Sequence, residues 1–97
     1  MEENNRTTCW LCKRPLGRRI QLHHTVPKSK GGRDTVPVHP ICHRTIHAHV
    51  TNAQLRRMDG SVDLLMQEVE IARFVQWIAD KPADFHAPTR KTKAGRR

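Results

Sequence analysis

The sequence predicts a small α+β domain, with two short strands and a helix first, then packed helices, then a basic flexible tail. Three observations predict it. A length of 97 residues fits one domain with a thin core. The first half contains a partly alternating apolar pattern and Cys/His pairs, whereas the second half carries apolar residues at helical spacing. We therefore expect four segments, namely 1–8 (disordered), 9–50 (core), 51–86 (helical extension) and 87–97 (flexible tail).

The first half predicts a strand, a loop, a second strand and a helix. Residues 18–26 alternate in part, with Ile20, Leu22 and His24 on one face of a half-buried strand. The Gly pair in residues 27–35 marks a loop, and Pro37 places the short strand 36–38 at an edge. A helix should begin near Ile41, after a Pro, and run past residue 49.

The second half predicts helices. Thr51 or Asn52 could cap a short one, and Asp59 with the following Gly forms a turn. Ser61 could cap a single longer helix over residues 62–78. Its expected buried face, with residues recurring at spacings of three and four, consists of Val62, Leu65, Val69, Ala72, Val75 and Ile78.

The charge distribution predicts a polyanionic partner. The chain has 18 Lys and Arg against 9 Asp and Glu, a formal charge of +9. Residues 1–50 and the tail carry the excess, while residues 51–89 are nearly neutral. Such a surface most often meets nucleic acid, with plain solubility as the alternative. The absence of a long apolar run and of a signal-peptide pattern predicts a cytoplasmic protein with no membrane partner.

Two ligand pairs predict a structural Zn²⁺ site. Cys9 and Cys12 form one pair, and His39 and Cys42 form another after 26 intervening residues. Two-residue gaps let both ligands of a tight turn reach one ion, and two such turns complete a tetrahedral site. A redox Cys pair is the rival interpretation, but the flanking strand and helix pattern that would support it is missing.

Four further histidines predict a second metal site. His43 and His47 are four residues apart and therefore project from one helix face. His23 and His24 end the first strand, and a bend there would let both serve the same site. Taken singly, each histidine would more often be an ordinary surface or core residue.

Residues 22–47 (LHHTVPKSKGGRDTVPVHPICHRTIH) resemble the motif of HNH endonucleases, in the branch that carries a Cys-x-x-Cys zinc knuckle. The resemblance covers residues 9–47 and implies the ββα-metal fold. It implies His23, His43 and His47 as ligands of a catalytic ion and His24 as the general base. Asp34 stands where the family has Asn, and an ionised Asp accepts hydrogen bonds but cannot donate them.

The resemblance implies metal-dependent hydrolysis of DNA phosphodiester bonds, by nicking or double-strand cleavage. Imidazole ligands tolerate several ions, so the catalytic metal could be Mg²⁺, Mn²⁺, Ni²⁺ or Zn²⁺. An imidazole titrating near pH ~6.5 suits a base at neutral pH, with activity falling on the acid side. Side chains expected to contact DNA phosphates are Lys28, Lys30, Arg33, Arg44, Arg18 and Arg19. The tail adds Arg90, Lys91, Lys93, Arg96 and Arg97.

Two alternatives stay open at this point. The chain could be a zinc-knuckle module that binds nucleic acid without catalysis. It could also be an accessory subunit of a larger phage packaging or restriction complex. No heptad sets the oligomeric state, so a monomer or a weak homodimer is expected. Trp10 and Trp77 are expected in the core because large apolar residues are few.

Overall fold

The computed structural model describes residues 8–87. The predicted disordered segment 1–8 and tail 87–97 lie outside this range, apart from Thr8 and Ala87. The fold is a small α+β arrangement of one two-stranded sheet and four α-helices. In chain order the elements are β1 (Gln21–His24), β2 (Thr35–Val38), α1 (Pro40–His49), α2 (Asn52–Met58), α3 (Val62–Leu65) and α4 (Val69–Ile78).

Strands β1 and β2 form an antiparallel ribbon whose register pairs His23 with Val36 and His24 with Thr35. The predicted inward face of β1 was wrong. Ile20 and Leu22 are 49% and 61% exposed, whereas His23 is fully buried. The ribbon therefore turns an imidazole towards the interior and apolar side chains outwards, because the α1 histidines lie beneath it.

The loop between the strands holds a single 3-10 turn, Lys28–Lys30, which Gly31 ends at φ 88°. Only a glycine fits at position 32, since a Cβ there would lie 1.7 Å from the carbonyl oxygen of Val26. This close approach folds the basic loop back onto the end of β1.

Helix α1 begins with Pro40 and ends at His49, close to the predicted limits. Pro suits this first position because the backbone N–H it lacks would have no helical partner. The helix buries Ile41, Cys42 and Ile46 on one side. The same helix contributes residues to both the Cys/His and the His clusters described below.

Helix α2 has the capping box that Thr51 allows. The Thr51 hydroxyl accepts from the Gln54 amide at 3.1 Å, and the Gln54 side chain accepts from the Thr51 amide at 2.8 Å. Asp59 ends the helix in the left-handed region at φ 49°. The predicted cap and turn are both confirmed.

The predicted continuous helix over 62–78 was wrong. Ser61 does cap a helix, by accepting from the Leu64 amide, but α3 ends after one turn. The chain then turns through residues 66–68, and Glu68 starts α4 with an extended ψ of 122°. This break changes the buried face of α4, so Ile71 is fully buried while Val69 is 58% exposed.

The core joins the two halves of the described chain. Helices α1 and α4 pack together, and one continuous cluster includes Leu11, Ile46, Leu55, Leu65, Ile71 and Ile78. Trp10 packs against this core as predicted, but Trp77 is 48% exposed, on the face of Phe74 and Phe85. Within residues 8–87, no helix has the length and apolarity needed to cross a bilayer.

Candidate metal centres

The Cys/His cluster brings together the four residues that the spacing predicts. Cys9 and Cys12 lie in the turn before β1, and His39 and Cys42 lie at the start of α1. All four are buried, and their ligand atoms lie within 4.8 Å of one another. Three thiols and one imidazole are the donor set of closed zinc sites. The cluster could therefore hold a metal ion such as zinc.

The orientation of the His39 ring favours ligation. Its Nε2 donates to the carbonyl oxygen of Pro15 at 2.9 Å, which leaves the lone pair on Nδ1. Nδ1 faces the sulfurs of Cys12 and Cys42 at 3.5 and 3.7 Å. A carbonyl partner of this kind fixes the tautomer of a metal-binding histidine.

The three thiols differ in their electrostatics. Hydrogen bonds with Cys12 raise the pKa values of Cys9 and Cys42, so Cys12 is the thiol held as a thiolate. Hydrogen bonds from Cys42 and then Cys9 hold the pKa of Cys12 far below its usual range. The buried guanidinium of Arg14 adds to this effect, with its Nη1 3.5 Å from the Cys12 sulfur. The thiolate form is the one that binds metals.

A second cluster joins the ribbon to α1. The ligand nitrogens of His23, His43 and His47 lie within 4.8 Å of one another, and we call these residues the histidine trio. Their ring centroids are 4.9 to 5.4 Å apart. His43 and His47 project from one face of α1, as the four-residue spacing predicts. Exposure increases from the fully buried His23 to the solvent-facing His47, so one side of the trio is open.

The buried His23 has the properties of a metal ligand. Neither Nδ1 nor Nε2 has a hydrogen-bond partner within residues 8–87, although both atoms are buried. Burial, with smaller contributions from His47, His43 and His24, lowers the pKa of His23 to about 4. Burial also lowers the pKa values of His43 and His47. Neutral imidazole is the form that binds a metal ion.

A side chain on β1 sets the orientation of the second trio member. His43 Nδ1 donates to Oε1 of Gln21 at 2.8 Å, which leaves Nε2 available as a ligand. Gln21 lies on the same face of the ribbon as His23, two residues away.

His24, the predicted base, lies beside the trio but outside it. It is half-buried at the end of β1, and strand alternation places it on the face opposite His23. The bend expected at Thr25 and Val26 is present, but because it follows both histidines it does not bring His24 onto the face of His23. A protonated His24 is nevertheless near enough to lower the pKa values of His23 and His43.

Asp34 lies across from Thr25, one residue beyond the His24–Thr35 pair of the ribbon. Its carbonyl oxygen accepts from the Thr25 amide at 3.3 Å, and its side chain is exposed. Within residues 8–87, neither the Asp34 carboxylate nor the His24 ring makes a side-chain hydrogen bond.

The predicted phosphate contacts fall into three places. Lys28, Lys30 and Arg33 are exposed on the loop after β1. Arg18 and Arg19 line a separate cleft of about 550 Å³ near the start of α1. Arg44 lies on the exposed side of α1, where its Nη2 contacts the ring of His86 at 3.3 Å and the carbonyl of Ala87.

Sequence reasoning missed the residues that support the two clusters. Arg14 is buried and donates to the carbonyls of Lys81 and Pro82, which anchors the end of the described chain to the Cys/His cluster. Pro15 and Gln21 orient the ligand histidines. A backbone carbonyl leaves no signal in sequence, and Gln21 could have been found only from its strand parity with His23.

Comparisons with known proteins identify a relative of this chain. No family model matches the chain, and no solved structure matches it. The chain is 38% identical over 89 residues to "Uncharacterized protein YisB" from Bacillus subtilis (strain 168). The alignment covers 87% of this chain and 85% of the relative.

Proposed function

The chain belongs to the family of "Uncharacterized protein YisB" from Bacillus subtilis, and we propose that it is a metal-dependent DNA endonuclease of the HNH type, with a ββα-metal core stapled by structural zinc. One observation carries the proposal. The histidine trio gathers three imidazoles at the junction of the ribbon and α1, where both nitrogens of His23 are buried without partners. An unpaired buried polar group costs about 1–3 kcal/mol, and ion binding would offset that cost.

The residues of the trio fit a divalent ion. Three neutral imidazoles leave the full charge of the ion available and some of its coordination positions open. When bound there, Mg²⁺, Mn²⁺, Ni²⁺ or Zn²⁺ would neutralise negative charge on a phosphodiester and on its leaving oxygen. The open side at His47 gives a phosphate access to the trio.

His24 supplies the proton acceptor in this proposal. Its neutral imidazole takes a proton from water as the water oxygen attacks phosphorus. The bond from phosphorus to the 3′-oxygen breaks, and the leaving oxygen gains a proton from solvent. His24 follows His23 directly in β1, and its charge is close enough to help lower the pKa of His23, which supports this role.

A plasmid-nicking assay tests this proposal. Purified protein is incubated with supercoiled plasmid and Mg²⁺, Mn²⁺, Ni²⁺ or Zn²⁺, with the His24→Ala variant in parallel. We expect wild-type protein to relax the plasmid with at least one metal, and the variant to lose activity by about 10²–10⁴-fold. Gln76→Ala, which removes an exposed polar side chain on α4, is the control and should remain active.

Two outcomes would contradict the proposal. One is a wild-type protein that does not nick the plasmid with any of the four metals. The other is a His24→Ala variant as active as the Gln76→Ala control. Chelation after a successful assay should stop cleavage, since the trio alone provides no charge to replace the ion.

One observation favours a second candidate, a zinc-knuckle protein that binds nucleic acid without cutting it. No side-chain hydrogen bond orients His24 within residues 8–87, and the carboxylate at Asp34 cannot donate one when ionised. Such a protein could serve as an accessory subunit of a phage packaging or restriction complex. It would retard DNA in a gel with every metal and nick it with none.

A further inference from the structure

Four cations gather at the end of the ribbon in a place that the charge pattern of the sequence does not reveal. Two clefts of about 480 and 450 Å³ adjoin there and share Lys30 and Arg56 as lining residues. We call the pair of clefts the α2 cleft. Its cations come from the loop before β2 and from the last turn of α2, namely Lys30, Arg33, Arg56 and Arg57.

These four side chains stay unneutralised within the described chain. Within residues 8–87, no ion pair or side-chain hydrogen bond involves any of them. Asp34 and Asp59 also line the larger cleft, yet neither forms an ion pair with a cation there. The α2 cleft thus places four cations against two carboxylates, and this excess of positive charge favours binding of an anion.

The helix dipole explains only part of the arrangement. Arg56 and Arg57 are favourable near the negative C-terminal end of α2. The helix dipole does not explain why the loop that carries Lys30 and Arg33 lies against this same turn of α2. The loop is brought there by Gly32, whose missing Cβ lets the chain pass Val26 closely.

The α2 cleft also continues the candidate site. Thr25, which follows His24, lines the larger cleft, and the turn after α2 approaches the same residue at Gly60. An anion in the cleft would therefore lie beyond the predicted base, at the far end of β1 from Gln21. A nucleic acid backbone passing the trio would present its next phosphates at this position.

We propose that the α2 cleft binds backbone phosphates of duplex DNA that flank the scissile phosphate, with Arg56 and Arg57 as positioning contacts. This inference rests on the proposed function for its substrate. The contacts carry no sequence information, so they give affinity that falls with salt.

Fluorescence anisotropy with a short duplex DNA, without added divalent metal, tests this inference on the full-length protein. The Arg56→Gln/Arg57→Gln variant should lower the slope of log affinity against log salt by about 1.8, since each phosphate contact contributes about 0.9. Raising salt from about 50 to 200 mM would then weaken the variant about 12-fold less than the wild type.

Matched variants separate the effect of the cleft residues on the slope from the effect of removing positive charge in general. Arg73→Gln/Lys81→Gln removes two cations that already pair with Glu70 and Asp80, and should leave the slope unchanged. Arg56→Lys/Arg57→Lys keeps the charge and should retain the wild-type slope. Circular dichroism checks that every variant is folded.

An unchanged slope in the cleft variant would overturn the inference. So would an equal fall in the Arg73→Gln/Lys81→Gln control, or a wild-type protein that does not bind DNA. Nicking is scored separately. If the cleft variant loses slope although the wild type never nicks, phosphate binding by the cleft holds and the nuclease proposal fails. If the wild type nicks and the slope of the cleft variant does not change, the cleft inference fails and the nuclease proposal stands.

Discussion

The imidazole of His23 is fully buried, and neither nitrogen has a hydrogen-bond partner within residues 8–87. An apolar side chain at this position of β1 would avoid the cost of stripping water from two polar atoms. The neighbouring Trp10 ring, 5.7 Å away between centroids, already gives one wall an apolar character. A residue that lowers the stability of the fold at its own position, as His23 does, is typical of functional sites.

This effect on stability predicts a specific result for His23→Leu. Without added divalent metal, the variant should be as stable as the wild type or up to about 2 kcal/mol more stable, because two unpaired atoms are removed. Added Mn²⁺ or Ni²⁺ should raise the melting temperature of the wild type and leave that of the variant unchanged. A variant that is strongly destabilised without added metal would show instead that His23 serves packing alone.

At the scale of the elements, the β-ribbon and α1 organise both clusters. Helix α1 provides His39 and Cys42 around its first turn and His43 and His47 along one face. The ribbon provides His23 inwards and leaves Leu22 exposed, the reverse of what apolar periodicity predicts. Periodicity assigns faces by hydrophobic burial, so it fails where a buried face is built from imidazoles.

The break between α3 and α4 predicts that two apolar residues of α4 contribute unequally to stability. Ile71→Ala should reduce the free energy of unfolding by about 2–5 kcal/mol, because Ile71 is fully buried against the core. Val69→Ala, at the first position of α4, should change it by less than about 0.5 kcal/mol. Urea denaturation of both variants measures the difference, and a larger loss at Val69 would contradict the break.

Residue types and spacing predicted which side chains cluster, but only the family resemblance separated His23 from His24. The two Cys/His pairs predicted the Cys/His cluster, and the four-residue spacing predicted how His43 and His47 meet. The α3–α4 break could not be predicted, because residues 62–78 keep a helical apolar spacing through residues 66–68. The α2 cleft was also missed, since Arg56 and Lys30 meet only through the loop at Gly32.

At the scale of the whole molecule, a metal ion in the Cys/His cluster would hold together segments that a thin core cannot. The cluster joins the turn at Cys9 to the start of α1, and Arg14 extends the connection to the carbonyl of Lys81. Structural zinc contributes about 10–16 kcal/mol in small peptides, comparable with the 5–15 kcal/mol stability of a typical domain. If the cluster holds structural zinc as we propose, Cys42→Ser should lose the ion and unfold at ambient temperature, which circular dichroism would detect. A folded, zinc-free variant would show that the core is sufficient.

Native mass spectrometry of the metal-loaded protein tests most directly the central claim that one scaffold carries two separate metal sites. The wild type should retain one tightly held zinc and gain a second ion when Mn²⁺, Ni²⁺ or Zn²⁺ is added. His23→Leu should keep the first and lose the second. If His23→Leu still binds both ions, or if the wild type never binds more than one, the histidine trio is not a metal site and the account is contradicted.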